Sequence, residues 1–257
     1  MANAPLIFTP EYYERMRALE SDSWWNAAMR DVAAMLLDLA KLPAAGLMLD
    51  VGCGSGQTAA WFQGTHRQWR VGGIDIAPEG LEHARDLGLL VSRASALQLP
   101  YRDGCADVVI TFDVLQHLPL DGGDLRGLRE MRRVLKRGGV LLLRTNAQAF
   151  PRTPDDARFQ FHRYEPDELT EKIERSGFSV LRLGRVNALL GLAEIPRELR
   201  ASRTQSSAYH GILARPARAS GLAGRFKRRW LRLEGRLLRI GVQLPLGRTM
   251  LAVCRAV

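Results

Sequence analysis

The sequence predicts an α/β fold, in which a largely parallel sheet carries helices on both faces. From Leu47 onward, short apolar segments that suit buried strands alternate with segments of helical period, the order typical of such a sheet. The 257 residues can form one α/β core with an insertion. The longest apolar runs are only a few residues, well below the ~18 that a membrane-spanning helix needs.

The run LMLDVGCGSG, Leu47 to Gly56, is the most informative segment. It has the pattern of a strand that ends at an acidic residue, Asp50, and is followed by Gly52, Gly54 and Gly56. Glycines permit positive φ and let a ligand approach bare backbone, and the next helix points its first N–H groups at that ligand. Dinucleotide-binding loops share this spacing. However, Asp50 would repel a pyrophosphate, and it suits a ligand that carries ammonium and sulfonium charges.

This segment resembles the first motif of the class I S-adenosylmethionine (SAM) dependent methyltransferases, and three later segments match the family in order. Val71 to Ile76 is similar to its second strand, Ala106 to Pro119 to its fourth strand and the following loop, and Val134 to Thr145 to its helix, Gly-Gly turn and fifth strand. The chain is identified as similar to the type 11-like small-molecule methyltransferases. The resemblance implies SAM as cofactor and a Rossmann-like seven-stranded sheet of order 3-2-1-4-5-7-6 with the last strand antiparallel.

The resemblance also implies where SAM binds. Asp75 ends the second strand, where a carboxylate can accept both ribose hydroxyls. Related sequences carry Asp-Ala before a Leu-Pro pair, and that Asp accepts from the adenine amino group. Here Ser95 takes its place, so this contact should be weaker. The expected cofactor-binding residues are Asp50, Gly52, Cys53, Gly54, Gly56, Asp75, Ile76, Ser95, Ala96, Leu97 and Asp113.

Three regions follow from these patterns. Residues 1–43 form an N-terminal helical cap, 44–183 with 249–257 form the SAM-binding domain, and 184–248 form a basic helical insertion between strands six and seven. A connection of that length is usually functional. The N-terminal helices either cover the cofactor and acceptor, as in many family members, or only shield the sheet.

The insertion contains a segment, Arg225 to Ile240, with strong helical periodicity. Five of its apolar residues fall on one stripe, with arginines beside and opposite it. From residue 182 to the end there are 16 basic and 3 acidic residues, whereas the whole chain has a net charge of +10. The helix either packs on the domain through this stripe with its arginines solvated, or presents a surface to a membrane or another anionic ligand. The stripe consists of Phe226, Trp230, Leu233, Leu237 and Ile240.

The chemistry requires little from the protein beyond positioning, because SAM supplies the reactive methyl group. An acceptor hydroxyl or acidic carbon can need a general base, and histidine is the usual one near neutral pH. His117, after the fourth strand, and His162 are the candidate bases, and His117 can instead line the site structurally. The candidate substrate residues are Tyr13, Trp24, Trp25, Tyr164 and His210. Three widely spaced cysteines fit neither a disulfide framework nor a metal site.

The resulting prediction is a SAM-dependent methyltransferase acting on a small organic acceptor, such as a secondary metabolite. Two alternatives stay open: a peripheral-membrane enzyme with a lipid-like or prenyl acceptor that has an anionic head, and a non-catalytic SAM-binding scaffold or sensor. Nucleic acid is disfavoured because Thr111 to Val114 lacks the Pro-Pro-aromatic motif of DNA amino-methyltransferases and no Pro-Cys motif exists. A cytoplasmic location, with possible membrane-surface contact through Arg225 to Ile240, is expected.

Overall fold

The computed structural model describes residues 23–148, 162–189, 191–192 and 221–257. Tyr13 and His210, two of the candidate substrate residues, lie outside this part of the chain. Among the described residues, no helix is both long and apolar enough to cross a bilayer.

A seven-stranded sheet forms the centre of the fold, in the order β3-β2-β1-β4-β5-β7-β6. Strands β1 to β5 pair in parallel, and β7 pairs antiparallel with both β5 and β6. This is the predicted α/β topology, and it brings the carboxyl ends of the parallel strands to one edge, which we call the carboxyl edge. The strands are β1 (Leu47–Val51), β2 (Arg70–Asp75), β3 (Leu90–Arg93), β4 (Ala106–Phe112), β5 (Leu135–Asn146), β6 (Phe178–Val186) and β7 (Thr249–Ala256).

Helices cover both faces of the sheet. A continuous core lies on each face, one including side chains of α4 and α5 and the other including side chains of α1, α2 and α6. The described helices are α1 (Trp24–Ala40), α2 (Gln57–Thr65), α3 (Pro78–Asp86), α4 (Gly123–Val134), α5 (Pro166–Arg175) and α6 (Leu222–Arg239). A 3₁₀ turn, Leu115–His117, follows β4.

Two predicted boundaries differ from the structure. Strand β6 continues past residue 183 because Gly184, Arg185 and Val186 stay paired with β7, so the connection to α6 starts after Val186. The Gly-Gly turn before strand five is a bulge inside β5, since the register with β4 shifts between Ala106 and Val108. Neither difference moves the carboxyl edge.

Helices α1 and α6 run parallel on the same face. Lys227 lies 5.1 Å from the centre of the Trp24 ring, near the start of both helices, and Arg239 Nη1 lies 4.0 Å from Asp38 Oδ2 near their ends. Glu234 of α6 binds the backbone amide of Asn187, directly after β6 at the carboxyl edge. Because α6 continues from there along the sheet, its amino-terminal half extends past the carboxyl edge.

The packed face of α6 is not the one that the periodicity indicated. Its buried residues are Gly224, Leu231, Glu234, Gly235 and Leu238, whereas Phe226, Leu233 and Ile240 of the predicted stripe are exposed. The interpretation that the helix packs through this stripe is therefore wrong. Two contacts determine which face is buried. The carboxylate of Glu234 binds the backbone amide of Asn187. Gly235 packs so closely on α1 that a Cβ there would lie 2.7 Å from Val32 Cγ2.

Candidate active site

The glycine loop after β1 has the backbone conformation that its sequence predicts. Gly52, Gly54 and Gly56 have φ of 80°, 49° and 82°, a region where other residues are strained. A Cβ at Gly52 would lie 2.1 Å from Val114 Cγ2, and one at Gly56 would lie 2.7 Å from a Leu89 methyl. A Cβ at Gly54, in contrast, would meet no described atom within 4 Å. Gly54 thus faces open space, where a ligand can contact the bare loop.

Asp75, at the end of β2, binds the loop directly. The Gly54 amide donates to Oδ2 at 2.8 Å, and the Ala77 amide donates to Oδ1 at 2.9 Å. Burial raises the pKa of Asp75, and these amide bonds oppose the rise. Each carboxylate oxygen has a second lone pair. Asp75 can therefore hold the loop and still accept two hydroxyls, as a ribose would require.

Asp50 lies beneath the loop and is only 1% exposed. Its carboxylate therefore does not reach the surface, and the structure does not support the expected direct contact of Asp50 with a ligand. Burial, followed by the charges of Asp50 and Asp75, raises the pKa of the Cys53 thiol. Cys53 is therefore a neutral, buried thiol, and its neighbours give this part of the site a negative field.

The segment after β3 forms the side of the site where the adenine is expected. Ser95 Oγ accepts the Leu97 amide at 3.1 Å, and Ala96 is buried. Ile76 follows Asp75 with 42% of its surface exposed, which provides an apolar surface beside the expected ribose position. The Ser95 hydroxyl already uses one acceptor position in its own turn, so a weak adenine contact is expected.

Replacing Ser95 with the acid typical of the family should strengthen SAM binding. Ser95→Asp adds a charged acceptor that can hold the Leu97 amide and also bind the adenine amino group, and we expect the Kd to fall about three- to tenfold. Calorimetric titration of SAM measures this change. Ser95→Ala is the matched variant. If Ser95→Asp binds SAM no more tightly than Ser95→Ala, the adenine does not bind beside residue 95.

The residue after β4 is strained. Asp113 has φ of 59°, which is uncommon for a non-glycine residue and is often found at functional sites. Its carboxylate forms an ion pair with the Arg144 guanidinium, which itself lies 4.6 Å from the centre of the Phe112 ring. These contacts join the carboxyl ends of β4 and β5 and hold Asp113 at the carboxyl edge.

Sequence reasoning missed two residues that shape this loop, Arg144 and Gln116. The buried Gln116 side-chain oxygen accepts from the Thr145 hydroxyl and the Asn146 amide, each at 3.1 Å. The bonds tie the 3₁₀ turn to the end of β5. Their partners lie about thirty positions apart in sequence, and no local pattern marks such a pair.

His117 ends the 3₁₀ turn and is half-buried. Burial lowers its pKa to about 4, although the negative charge of Asp113 acts in the opposite direction. The imidazole is neutral at pH 7, and its low basicity makes it a poor proton acceptor. This favours the interpretation that His117 lines the site structurally.

The lowered pKa of His117 makes stability depend on pH. Between its ordinary pKa near 6.5 and its folded pKa of about 4, only the unfolded chain binds the proton, so stability is complete above this window and is lost as pH falls through it. From pH ~7 to ~4.5 we expect the His117 contribution to fall by about 2 kcal/mol. Urea unfolding of the wild type and His117→Gln at both pH values measures it. An equal pH slope in the two proteins would contradict the prediction.

His162 is held by three neighbours. Its Nε2 lies 2.9 Å from Glu168 Oε1, its amide donates to the Gln116 carbonyl at 3.0 Å, and its ring stacks on Tyr164 with centroids 4.1 Å apart. The carboxylate of Glu168 can orient the imidazole. His162 is therefore better supported than His117 as a candidate base.

Tyr164, in contrast, is a core residue. It is 0% exposed, and its hydroxyl lies 3.3 Å from Asp124 Oδ2, which also accepts from Lys172 at 2.7 Å. The structure does not support the predicted contact of Tyr164 with the acceptor, because the side chain is buried and its hydroxyl lies beside the buried Asp124 carboxylate.

Trp24 and Trp25 lie in the first turn of α1 with ring centroids 6.0 Å apart. Both are half-buried against the core that α1 shares with α6. They are part of the packing of this helix, and a contact with the acceptor stays a prediction. Among the described residues, no group of three or more His, Cys, Asp or Glu side chains could hold a metal ion.

The fold and the site define an α/β protein with an open glycine loop at the carboxyl edge of its sheet, and several proteins of similar sequence are methyltransferases. A model of a methyltransferase domain matches residues 49–143. A probable S-adenosylmethionine-dependent methyltransferase of Mycolicibacterium smegmatis is 34% identical over 153 residues, 58% of each chain. The tRNA (carboxymethyluridine(34)-5-O)-methyltransferase of Arabidopsis thaliana is 33% identical over 105 residues, 41% of this chain and 25% of that protein.

Among solved structures, phosphoethanolamine N-methyltransferase 2 of Haemonchus contortus superposes with a TM-score of 0.60 over 98% of this chain and 58% of its own, at 16% identity. This likeness concerns the fold. These matches support a class I SAM-dependent methyltransferase family for the part of the chain around residues 49–143, and SAM is the cofactor of that family. The chain spans between a quarter and three fifths of the length of the two curated relatives above.

Proposed function

We propose that the chain transfers the SAM methyl group to a small organic acceptor. One observation carries this proposal: the glycine loop, open at Gly54, is joined through its amide to the Asp75 carboxylate. This arrangement fits SAM, since the loop admits the ligand to the backbone and Asp75 keeps free acceptor positions. When bound, SAM supplies an electrophilic methyl group.

The residues of the chain then position the cofactor and the acceptor and select among ligands. Asp50 and Asp75 give a negative field that favours a cationic ligand. The Asp113–Arg144 pair and the Gln116 bonds hold the loop after β4 in one conformation, which limits the orientations open to an acceptor. His162, oriented by Glu168, is the group that would take a proton if the acceptor loses one.

Three alternatives to this proposal have different support. A non-catalytic SAM-binding scaffold uses the same cofactor site, because fold alone does not determine function. A nucleic-acid acceptor is suggested by the names of some relatives, but the match to the Arabidopsis tRNA enzyme covers 41% of this chain. The enzyme acting on a lipid-like acceptor is compatible with the surface described in the next subsection.

The test combines binding and turnover. Purified protein is titrated with SAM by calorimetry and then incubated with methyl-labelled SAM and a metabolite extract, a lipid extract or bulk tRNA in separate reactions. We expect SAM binding and label transfer to a compound of the metabolite extract. Binding with no transfer in any reaction would favour the scaffold, and transfer to tRNA alone would contradict the small acceptor.

A further inference from the structure

The surface of α6 that faces away from the sheet combines exposed apolar side chains with arginines. Leu222, Phe226, Leu233 and Ile240 are 84%, 60%, 44% and 73% exposed. At 100° per residue they fall within about 40° of one another around the helix. We call this stripe, with the exposed Arg225, Arg229 and Arg236 on one flank, the outer face of α6.

The rotation of α6 about its axis is determined by its buried side. Glu234 is 3% exposed, and it accepts from the Ala188 amide at 3.1 Å and from the Trp230 indole at 2.7 Å. A single buried carboxylate with several donors would be costly to displace. The helix therefore cannot turn its apolar stripe towards the core without breaking these bonds.

The arginines of α6 divide into two sets. Arg228 pairs with Asp31 at 2.7 Å, Arg232 lies 3.8 Å from the same carboxylate, and Arg239 reaches Asp38. These three face α1 and help to attach the helix. Arg225, Arg229 and Arg236 make no ion pair with any described carboxylate and lie next to the stripe.

We propose that the outer face of α6 docks on an anionic lipid bilayer. Leucine, isoleucine and phenylalanine side chains can enter the acyl boundary, while adjacent arginines bind lipid phosphates. A polynucleotide would match the arginines but leave Leu222, Leu233 and Ile240 without a suitable partner, because nucleic-acid interfaces are polar. A second copy would bring two rows of unpaired arginines together.

The amino-terminal half of this surface lies at the same edge of the sheet as the proposed active site, although β6 and β1 are four positions apart in the strand order. The amino-terminal half of α6, with Leu222 and Phe226, extends past the carboxyl edge, where the glycine loop also lies. A bilayer bound there would place the site edge of the protein near the lipid. The proposal concerns binding only and holds whether or not methyl transfer occurs.

Flotation with vesicles tests the proposal. The probes are phosphatidylcholine vesicles with and without phosphatidylglycerol, at low and high salt. We expect partition to the anionic vesicles only, weakened by salt. The triple variant Arg225→Gln, Arg229→Gln, Arg236→Gln should lower this partition about 100-fold. The matched control removes the exposed Arg67, Arg70 and Arg137, which lie away from this face, and should change it by no more than about twofold.

A second variant separates a bilayer from other partners. Leu222→Ser with Phe226→Ser keeps the net charge but removes the apolar contact, and we expect partition to fall at least about tenfold. Circular dichroism and urea unfolding check that each variant folds. Equal partition to both vesicle types would overturn the proposal. It would also be overturned if these variants lose tRNA binding or dimer formation but keep vesicle binding. SAM titration is run separately, so this failure and failure of the methyltransferase proposal are distinguishable.

Discussion

Asp75→Asn should weaken SAM binding about 100-fold, because it removes a charged acceptor from two ribose hydroxyls. The wild-type carboxylate binds the Gly54 and Ala77 amides at 2.8 and 2.9 Å, and its remaining lone pairs face the expected ribose position. An amide side chain has a single, uncharged acceptor oxygen. Calorimetric titration of SAM measures the change in Kd.

The matched control for this variant is Asp107→Asn at the opposite edge of the sheet. Asp107 also binds a backbone amide, that of Leu47 at 2.9 Å, and pairs with Lys136 at 2.7 Å. We expect it to lower the free energy of unfolding by about 1 kcal/mol and to leave the Kd for SAM unchanged. Equal Kd values for Asp75→Asn and the wild type would contradict the assigned ribose contact.

Gly54→Ala should abolish detectable SAM binding while the protein still folds. The added Cβ meets no described atom within 4 Å, so the folded chain has room for it. We expect a cost of about 1 kcal/mol from the positive φ alone. The same methyl group would occupy the space above the loop that a ligand needs, so the Kd should rise by at least about 100-fold.

Gly104→Ala separates backbone strain from ligand exclusion. Gly104 has φ of 58°, close to the 49° of Gly54, and a Cβ there is also free of described neighbours. The two variants should lose similar stability in urea unfolding, and only Gly54→Ala should lose SAM binding in calorimetry. If both bind SAM like the wild type, the ligand does not approach the loop at Gly54.

The glycine loop could be predicted because its signal is local, whereas the strand order was implied by the resemblance of four motifs to a known family. Each strand is a short apolar run, and the positive φ of Gly52, Gly54 and Gly56 follows from residue type. Four motifs in order then restrict the topology. The expected position of Asp75 at a strand end was confirmed by the register of β2 with β1 and β3.

The packing of α6 could not be predicted in the same way. A periodicity argument assigns the most apolar stripe to the core, but this helix buries Glu234 and Gly235 and exposes Phe226. The decisive contacts join Glu234 to the amides of Asn187 and Ala188, almost fifty positions earlier. No feature near Glu234 in the sequence marks these partners.

The residues expected near the acceptor could also be predicted only in part. The position of His117 after β4 was predicted, whereas the lowering of its pKa depends on burial by the assembled fold. Tyr164 was predicted to be a substrate residue, yet its hydroxyl lies within hydrogen-bonding distance of the buried Asp124. Whether a tyrosine belongs to the core or to a binding site depends on its long-range polar contacts and not on its residue type.

The most direct test of the central claim is a crystal structure of the chain with S-adenosylhomocysteine, the demethylated form of the cofactor. We expect its ribose hydroxyls within hydrogen-bonding distance of the Asp75 carboxylate and its amino-acid portion over Gly52 to Gly54. Density for the nucleoside at any other position, or none at saturating concentration, would contradict the account.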